Sequence, residues 1–282
     1  MAAYLRVGSI EEAVGRLSER PWTVVGGCTD YYCRRDAKPL DDDVLDITGI
    51  TTARGIVEEP GQFRIGALTT WTDLAQAALP PQFEALREAA RQVGGVQIQN
   101  AGTIGGNLCN ASPAADGVPP LLILDAQVEL QSAAGSRLLP LPAFILGSRR
   151  TALRADELLT AVLVPKRSGR PASMFLKLGA RAYQVISIVM VAALLEPDSA
   201  GDIAVAAVAV GACSAVAQRL SALEETLQGR PLAGRPLSQL LREEHLSPLS
   251  PLTDVRGTAE YRRDAARSLI GRALDRLQER LA

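Results

Sequence analysis

The chain has 282 residues, 47% of them apolar, and a formal net charge of −1. At about 150 residues per domain the length suggests two domains, and the balanced charge gives no global basis for binding nucleic acid or an anionic membrane. The longest apolar run, VISIVMVAALL at 185–195, falls short of the about 20 residues a membrane-spanning helix needs.

In chain order, Ser9-Ile10-Glu11-Glu12 predicts a capped helix, with Ile10, Ala13, Val14 and Leu17 on one face. Trp22 to Val25 reads as a strand that stops at Gly26-Gly27, and Val44 to Ile47 as another. Phe63 to Ala67 is a strand candidate, Thr70 a cap for a helix over 71–78, and Phe83, Leu86, Ala90 and Val93 mark a helix over 83–92. After the loop-like stretch 101–116, strands are expected near 127–131, 138–141 and 158–164. The basic segment Lys166 to Pro171 marks a domain boundary. Beyond it come strands over 173–178, 186–195 and 203–212 and helices near 215–228, 236–243 and 258–281. Strands followed by helices without strict alternation indicate an α+β class.

The four cysteines, Cys28, Cys33, Cys109 and Cys213, include no Cys-x-x-Cys pair, and His245 is the lone histidine, expected on the surface of a polar segment. A zinc or iron–sulfur site needs about four such ligands, so no metal is expected in this chain. The start, MAAYLRVGSIEEA, has no basic region leading into an apolar one. A cytoplasmic location with reduced thiols is expected.

Two glycine bends carry the chemistry: Val25-Gly26-Gly27-Cys28-Thr29-Asp30 and Gly102-Thr103-Ile104-Gly105-Gly106-Asn107. Glycine lets backbone N–H groups approach a ligand closely, and consecutive N–H groups form a nest for anions. Neither bend has the spacing of a Rossmann or P-loop site, and neither contains lysine, so backbone dipoles would have to hold a phosphate. Asn107, Asn110, Ser112 and Asp116 then supply amide, hydroxyl and carboxylate groups suited to a polyhydroxylated chain. Taken singly, each bend is also compatible with an ordinary turn, Cys28 and Cys109 with small packing residues, and Asp116 with a solvated acid or helix cap.

Five segments, in order, resemble the FAD-binding medium subunit of the molybdenum hydroxylases, the xanthine dehydrogenase, aldehyde oxidoreductase and carbon monoxide dehydrogenase group. They are GGCTD at 26–30, GTIGGNLCNASPAAD at 102–116, DELLTAVLVP at 156–165, FLKLGARAYQVISIV at 175–189 and RGTAEYRRDAARSLI at 256–270. The resemblance implies a vanillyl-alcohol-oxidase (PCMH) type FAD-binding domain over 1–168, with α/β subdomains at about 1–55 and 56–168. A small C-terminal domain over 169–282 would follow, with a three-stranded antiparallel sheet and helices.

The same resemblance implies site residues. Val25, Gly26, Gly27, Cys28, Thr29 and Asp30 would lie on the pyrophosphate and adenosine side. Gly102, Thr103, Ile104, Gly105, Gly106 and Asn107 would cradle the pyrophosphate and ribityl region. Asn110 and Asp116 would bond FAD hydroxyls or the ring edge, and Leu158 and Leu159 would pack on the cofactor. Lys177 would stand near the isoalloxazine and stabilise negative charge on the reduced ring, unless it is a surface charge on an edge strand; Tyr183 would stand beside it.

The chain departs from the family pattern at Cys28, Gln99 and Val93, the last at a position where some members place an aromatic ring on the flavin. The implied function is FAD-dependent electron transfer within a heteromeric complex. A [2Fe–2S] small subunit would supply electrons, a molybdopterin-binding large subunit would hold the substrate, and an acceptor such as NAD would take the electrons. Two alternatives are a free-standing FAD-dependent oxidoreductase of the same fold superfamily and a flavin-lacking assembly or structural homologue. A visible spectrum separates the last from the others, and co-purifying chains separate the first two.

Overall fold

The computed structural model describes residues 2–34 and 41–282. The first unit is a parallel sheet. Strand β1 (Tyr4–Arg6) leads into helix α1 (Ile10–Glu19), whose Ser9 cap accepts the Glu12 N–H, and then into β2 (Thr23–Val25). Strand β3 (Val44–Asp46) lies between β1 and β2, parallel to both. Ala13, Val14 and Leu17 of α1 are buried against it, as the spacing predicts.

The second unit is built on a five-stranded antiparallel sheet. Strands β4 (Ile56–Glu59) and β5 (Gln62–Gly66) precede helices α2 (Trp71–Gln76), α3 (Glu84–Ala90), α4 (Val96–Ala101), α5 (Ile104–Asn110) and α6 (Val118–Ile123). Then come β6 (Gln127–Ser132), β7 (Gly135–Pro140), the one-turn α7 (Leu141–Phe144), a small hairpin of β8 (Ile145–Gly147) and β9 (Arg150–Thr151), and β10 (Leu158–Pro165). The sheet order is β4-β5-β10-β6-β7. The stretch expected to be a loop contains α5. Its two early glycines lower intrinsic helix propensity, but Thr103 caps the helix, and a Cβ on Gly105 would stand 2.8 Å from Ala67, so packing rather than propensity selects glycine there.

The third unit is a sheet of β11 (Ala172–Leu178), β12 (Val189–Pro197), β13 (Ile203–Gly211) and the two-residue β14 (Gln218–Arg219), flanked by α8 (Ser221–Leu227) and α9 (Ala259–Leu281). The short fourth strand occupies the start of the expected helix 215–228, and a 3₁₀ turn at Leu237–Leu240 stands where a helix over 236–243 is predicted. On β12, Met190, Ala192 and Leu194 join the core shared with α3 and α6, while Val189, Val191, Ala193 and Leu195 join the core under α8 and α9. Side chains alternate along a strand, so burial on both faces accounts for the unbroken apolar run.

His245 is a correction: it is only 4% exposed. Its Nδ1 accepts the Arg242 N–H at 3.1 Å and its Nε2 lies 3.3 Å from the Thr226 hydroxyl, so hydrogen bonding offsets the cost of burying the ring. Among the described residues no helix is long and apolar enough to cross a membrane.

Candidate functional site

Strand β2 ends at Val25, and the chain turns through Gly26 to Asp30 against the end of α4. A Cβ on Gly27 would lie 1.8 Å from the Ala101 carbonyl oxygen, and one on Gly26 would lie 3.6 Å from Thr103 Oγ1. The two bends therefore touch. Cys28 has φ 57°, in the left-handed region that favours glycine. Burial pushes its thiol up, with the Asp46 carboxylate adding to the shift.

The bends differ in what they offer. No hydrogen bond to another described residue engages the N–H groups of Gly27, Cys28 or Thr29. The second bend is different: Ile104 N–H donates to Thr69 O, Gly105 N–H to Ala67 O, Gly106 N–H to Thr103 Oγ1 and Asn107 N–H to Thr103 O, at 2.9–3.0 Å. The anion nest expected on both bends is open on the first alone, because the second is a capped helix start docked on the exit of β5. It contributes side chains instead. Asn107 lines the site, and its Oδ1 is buried without a hydrogen-bond partner.

These groups border a cavity of about 840 Å³, within the range of about 300–1,000 Å³ typical of small-molecule sites. Its wall includes Val25 to Asp30, Gly102, Thr103, Gly106, Asn107, Asn110, Ser112 and Asp116, together with Val93 and Gln184 to Ile186. An apolar chamber of about 310 Å³ adjoins it, sharing Gly26, Thr103 and Gly106, and is lined by Trp22, Leu68, Gly105, Leu158 and Leu159.

Three expected residues lie off these walls. Ile104 is buried in the core. Tyr183 is 78% exposed. Lys177 sits behind Asp116, its Nζ 2.6 Å from Asp116 Oδ2 and 3.2 Å from Gln92 O. Gln99 donates to Arg91 O and also stays off the walls.

Arg149 was not anticipated. It follows β8 in the hairpin turn with φ 59° and reaches the wall, donating to Asp30 Oδ2 at 3.0 Å and to Asn110 O at 3.2 Å. The site thus has a guanidinium although neither bend contains a basic residue. The only sequence signal for it was the Gly-Ser-Arg-Arg run at 147–150, remote from both bends.

The larger cavity, with the open amide nest on its wall, and the apolar chamber that adjoins it at Gly26, Thr103 and Gly106 form an extended receptacle suited to a dinucleotide, with the diphosphate at the nest and a ring system in each space. The open Gly27, Cys28 and Thr29 amides suit a diphosphate, and the Asn107 and Asn110 amides on the same cavity wall suit the hydroxyls of the linking chain, so the residues present fit FAD.

Residues 1–167 match the family described as the FAD binding domain in molybdopterin dehydrogenase, and residues 174–277 match the CO dehydrogenase flavoprotein C-terminal domain. The chain belongs to this family of FAD-binding medium subunits of molybdenum hydroxylase-type complexes, which are FAD-dependent oxidoreductases. It is 36% identical over 232 residues to the nicotinate dehydrogenase FAD-subunit of Eubacterium barkeri, covering 79% of this chain and 78% of the relative. It is 31% identical over 266 residues to a putative xanthine dehydrogenase FAD-binding subunit of Escherichia coli strain K12, covering 93% and 90%. The solved structure of reconstituted CO dehydrogenase from Oligotropha carboxidovorans is similar with a TM-score of 0.91 at 25% identity, covering 99% of this chain and 98% of that one.

Proposed function

We propose that this chain carries FAD between a [2Fe–2S] small subunit, which delivers electrons, and an acceptor such as NAD, within a cytoplasmic complex whose large subunit binds molybdopterin. The carrying observation is the contact of the two bends beside an open amide nest on the wall of the larger cavity. The name medium chain, borne by the similar subunit of carbon monoxide dehydrogenase from Hydrogenophaga pseudoflava, supports the heteromeric reading. Residues 1–168 are assigned to the FAD-binding domain and 169–282 to the C-terminal domain, an assignment supported by the extents of the two family matches.

When bound, FAD supplies two-electron redox chemistry; the chain positions it. The Gly27, Cys28 and Thr29 amides hold the diphosphate by aligned dipoles. Trp22, Leu68, Leu158 and Leu159 offer apolar surface to a ring in the chamber, whose wall Arg154 and Glu157 complete. Asn107 and Asn110 orient the hydroxylated chain. Val93, Val185 and Ile186 present aliphatic surface at the remaining wall. Purification from the native host is the test. A flavin spectrum with two co-purifying chains, one carrying molybdopterin and one iron–sulfur, is expected. Flavin without partners favours a free-standing oxidoreductase, and a colourless chain ends the proposal.

A further inference from the structure

The wall made by Val93, Asp116 and Gln184 to Ile186 takes no part in the apolar chamber. If FAD occupies the site as proposed above, on which the present inference rests, the first bend borders both spaces through Gly26, with its open amides on the larger cavity. The chamber then takes one ring system, and this wall faces the other in the larger cavity. The charged side chain on that wall is Asp116. It is nine-tenths buried, and both of its oxygens are held: Oδ1 accepts from the Ser187 hydroxyl at 2.5 Å and Oδ2 from Lys177 Nζ at 2.6 Å. Lys177 and Ser187 themselves do not reach the wall. The pair therefore lies with Asp116 on the cavity side and Lys177 behind it, anchored on Gln92 O.

We propose that Asp116 sets the reduction potential of the flavin by presenting a carboxylate that opposes reduction, with Lys177 and Ser187 as positioning residues. A flavin reduced there by two electrons from its donor, with one proton from solvent, would gain one net negative charge. Coulomb energy scales inversely with distance. The nearer carboxylate therefore outweighs the ammonium behind it, and the potential is held down rather than raised. Burial pushes the Asp116 carboxyl up from its usual range, and the Lys177 ammonium is the foremost influence holding it down. Removing Lys177 consequently favours a neutral Asp116.

The test is a dithionite titration of the FAD-loaded full chain against a reference dye at fixed neutral pH. Asp116→Asn is expected to shift the equilibrium towards reduced flavin by about tenfold or more, which for a two-electron couple is about 30 mV. Because that variant leaves Lys177 without its counter-charge, Asp116→Asn/Lys177→Gln is measured beside it, with an upward shift again expected. Lys177→Met is expected to raise the potential as Asp116 becomes neutral. A fall in Lys177→Met would show that the ammonium acts on the ring directly and would overturn the inference, as would an unchanged or lowered potential in both Asp116 variants. A wild-type chain that melts cooperatively but shows no flavin absorbance after loading refutes the FAD assignment instead, so the two failures are distinguishable.

Discussion

The α-carbon of Gly27 packs so closely on the carbonyl of Ala101 that a β-carbon added to Gly27 would stand 1.8 Å from that oxygen. Main chain meets main chain here, and neither side has a rotamer that could move away. Gly27→Ala is expected to separate the bends at a cost of about 1–3 kcal/mol, lowering the melting temperature and the FAD-to-protein ratio together. Gly26→Ala is the control. Its nearest contact is the Leu68 side chain at 3.3 Å, which can shift. Equal loss of flavin in both variants would contradict the close-approach explanation.

Arg149 ties the first bend to the end of α5 through Asp30 and the Asn110 carbonyl. Arg149→Ala should weaken FAD binding about tenfold, the loss of about 1.4 kcal/mol. The unfolding midpoint of the FAD-free chain should change little, since the side chain is partly exposed. Isothermal titration of FAD into the apo chain checks this, and an unaltered dissociation constant would remove Arg149 from the site.

Much of this architecture is legible in the sequence. The caps Ser9 and Thr70 announce their helices through side-chain oxygens placed three residues before the N–H groups they bond, and α9 runs where periodicity puts it. The site is less legible because its decisive partners are remote. The donors of Ile104 and Gly105 look free until Thr69 and Ala67 are brought beside them. Arg149 lies 119 residues from Asp30. His245 reads as surface because Arg242, Glu243 and Glu244 precede it, yet its ring turns inward to Thr226. Local propensity sees neighbours along the chain, whereas these roles are fixed by neighbours across it.

Glu157 gives a pH dependence of defined sign. The Arg137 guanidinium, bonded to both carboxylate oxygens at 2.6 and 2.8 Å, holds the Glu157 carboxyl below its usual range against the opposing effect of burial. The unfolded chain therefore takes up this proton at higher pH than the folded one. The stabilisation is complete above about pH 5 and is lost as pH falls through the folded pKa. Melting curves from neutral to acid should decline less steeply for Glu157→Gln than for wild type, and parallel curves would refute the assignment.

Arg219 bonds both oxygens of Glu224 at 2.6 and 2.8 Å and also reaches Asp125 and the Leu122 carbonyl at the end of α6. Arg219→Met leaves Glu224 buried without its cation, a change expected to cost about 3 kcal/mol. Chemical denaturation should show a lower midpoint with an unchanged slope. A much smaller loss would mean that Glu224 finds water or another partner.

The sheet containing β12 and β13 has no face to spare: one side completes the core around α3 and α6, the other the core beneath α8 and α9. Severing the polypeptide in the 166–171 linker would leave two fragments, each with a wide oily surface and an incomplete interior. The halves suggested by the sequence are thus expected to melt in one cooperative transition, and a polypeptide truncated after that linker to be recovered as aggregate rather than as an independent flavin-binding module.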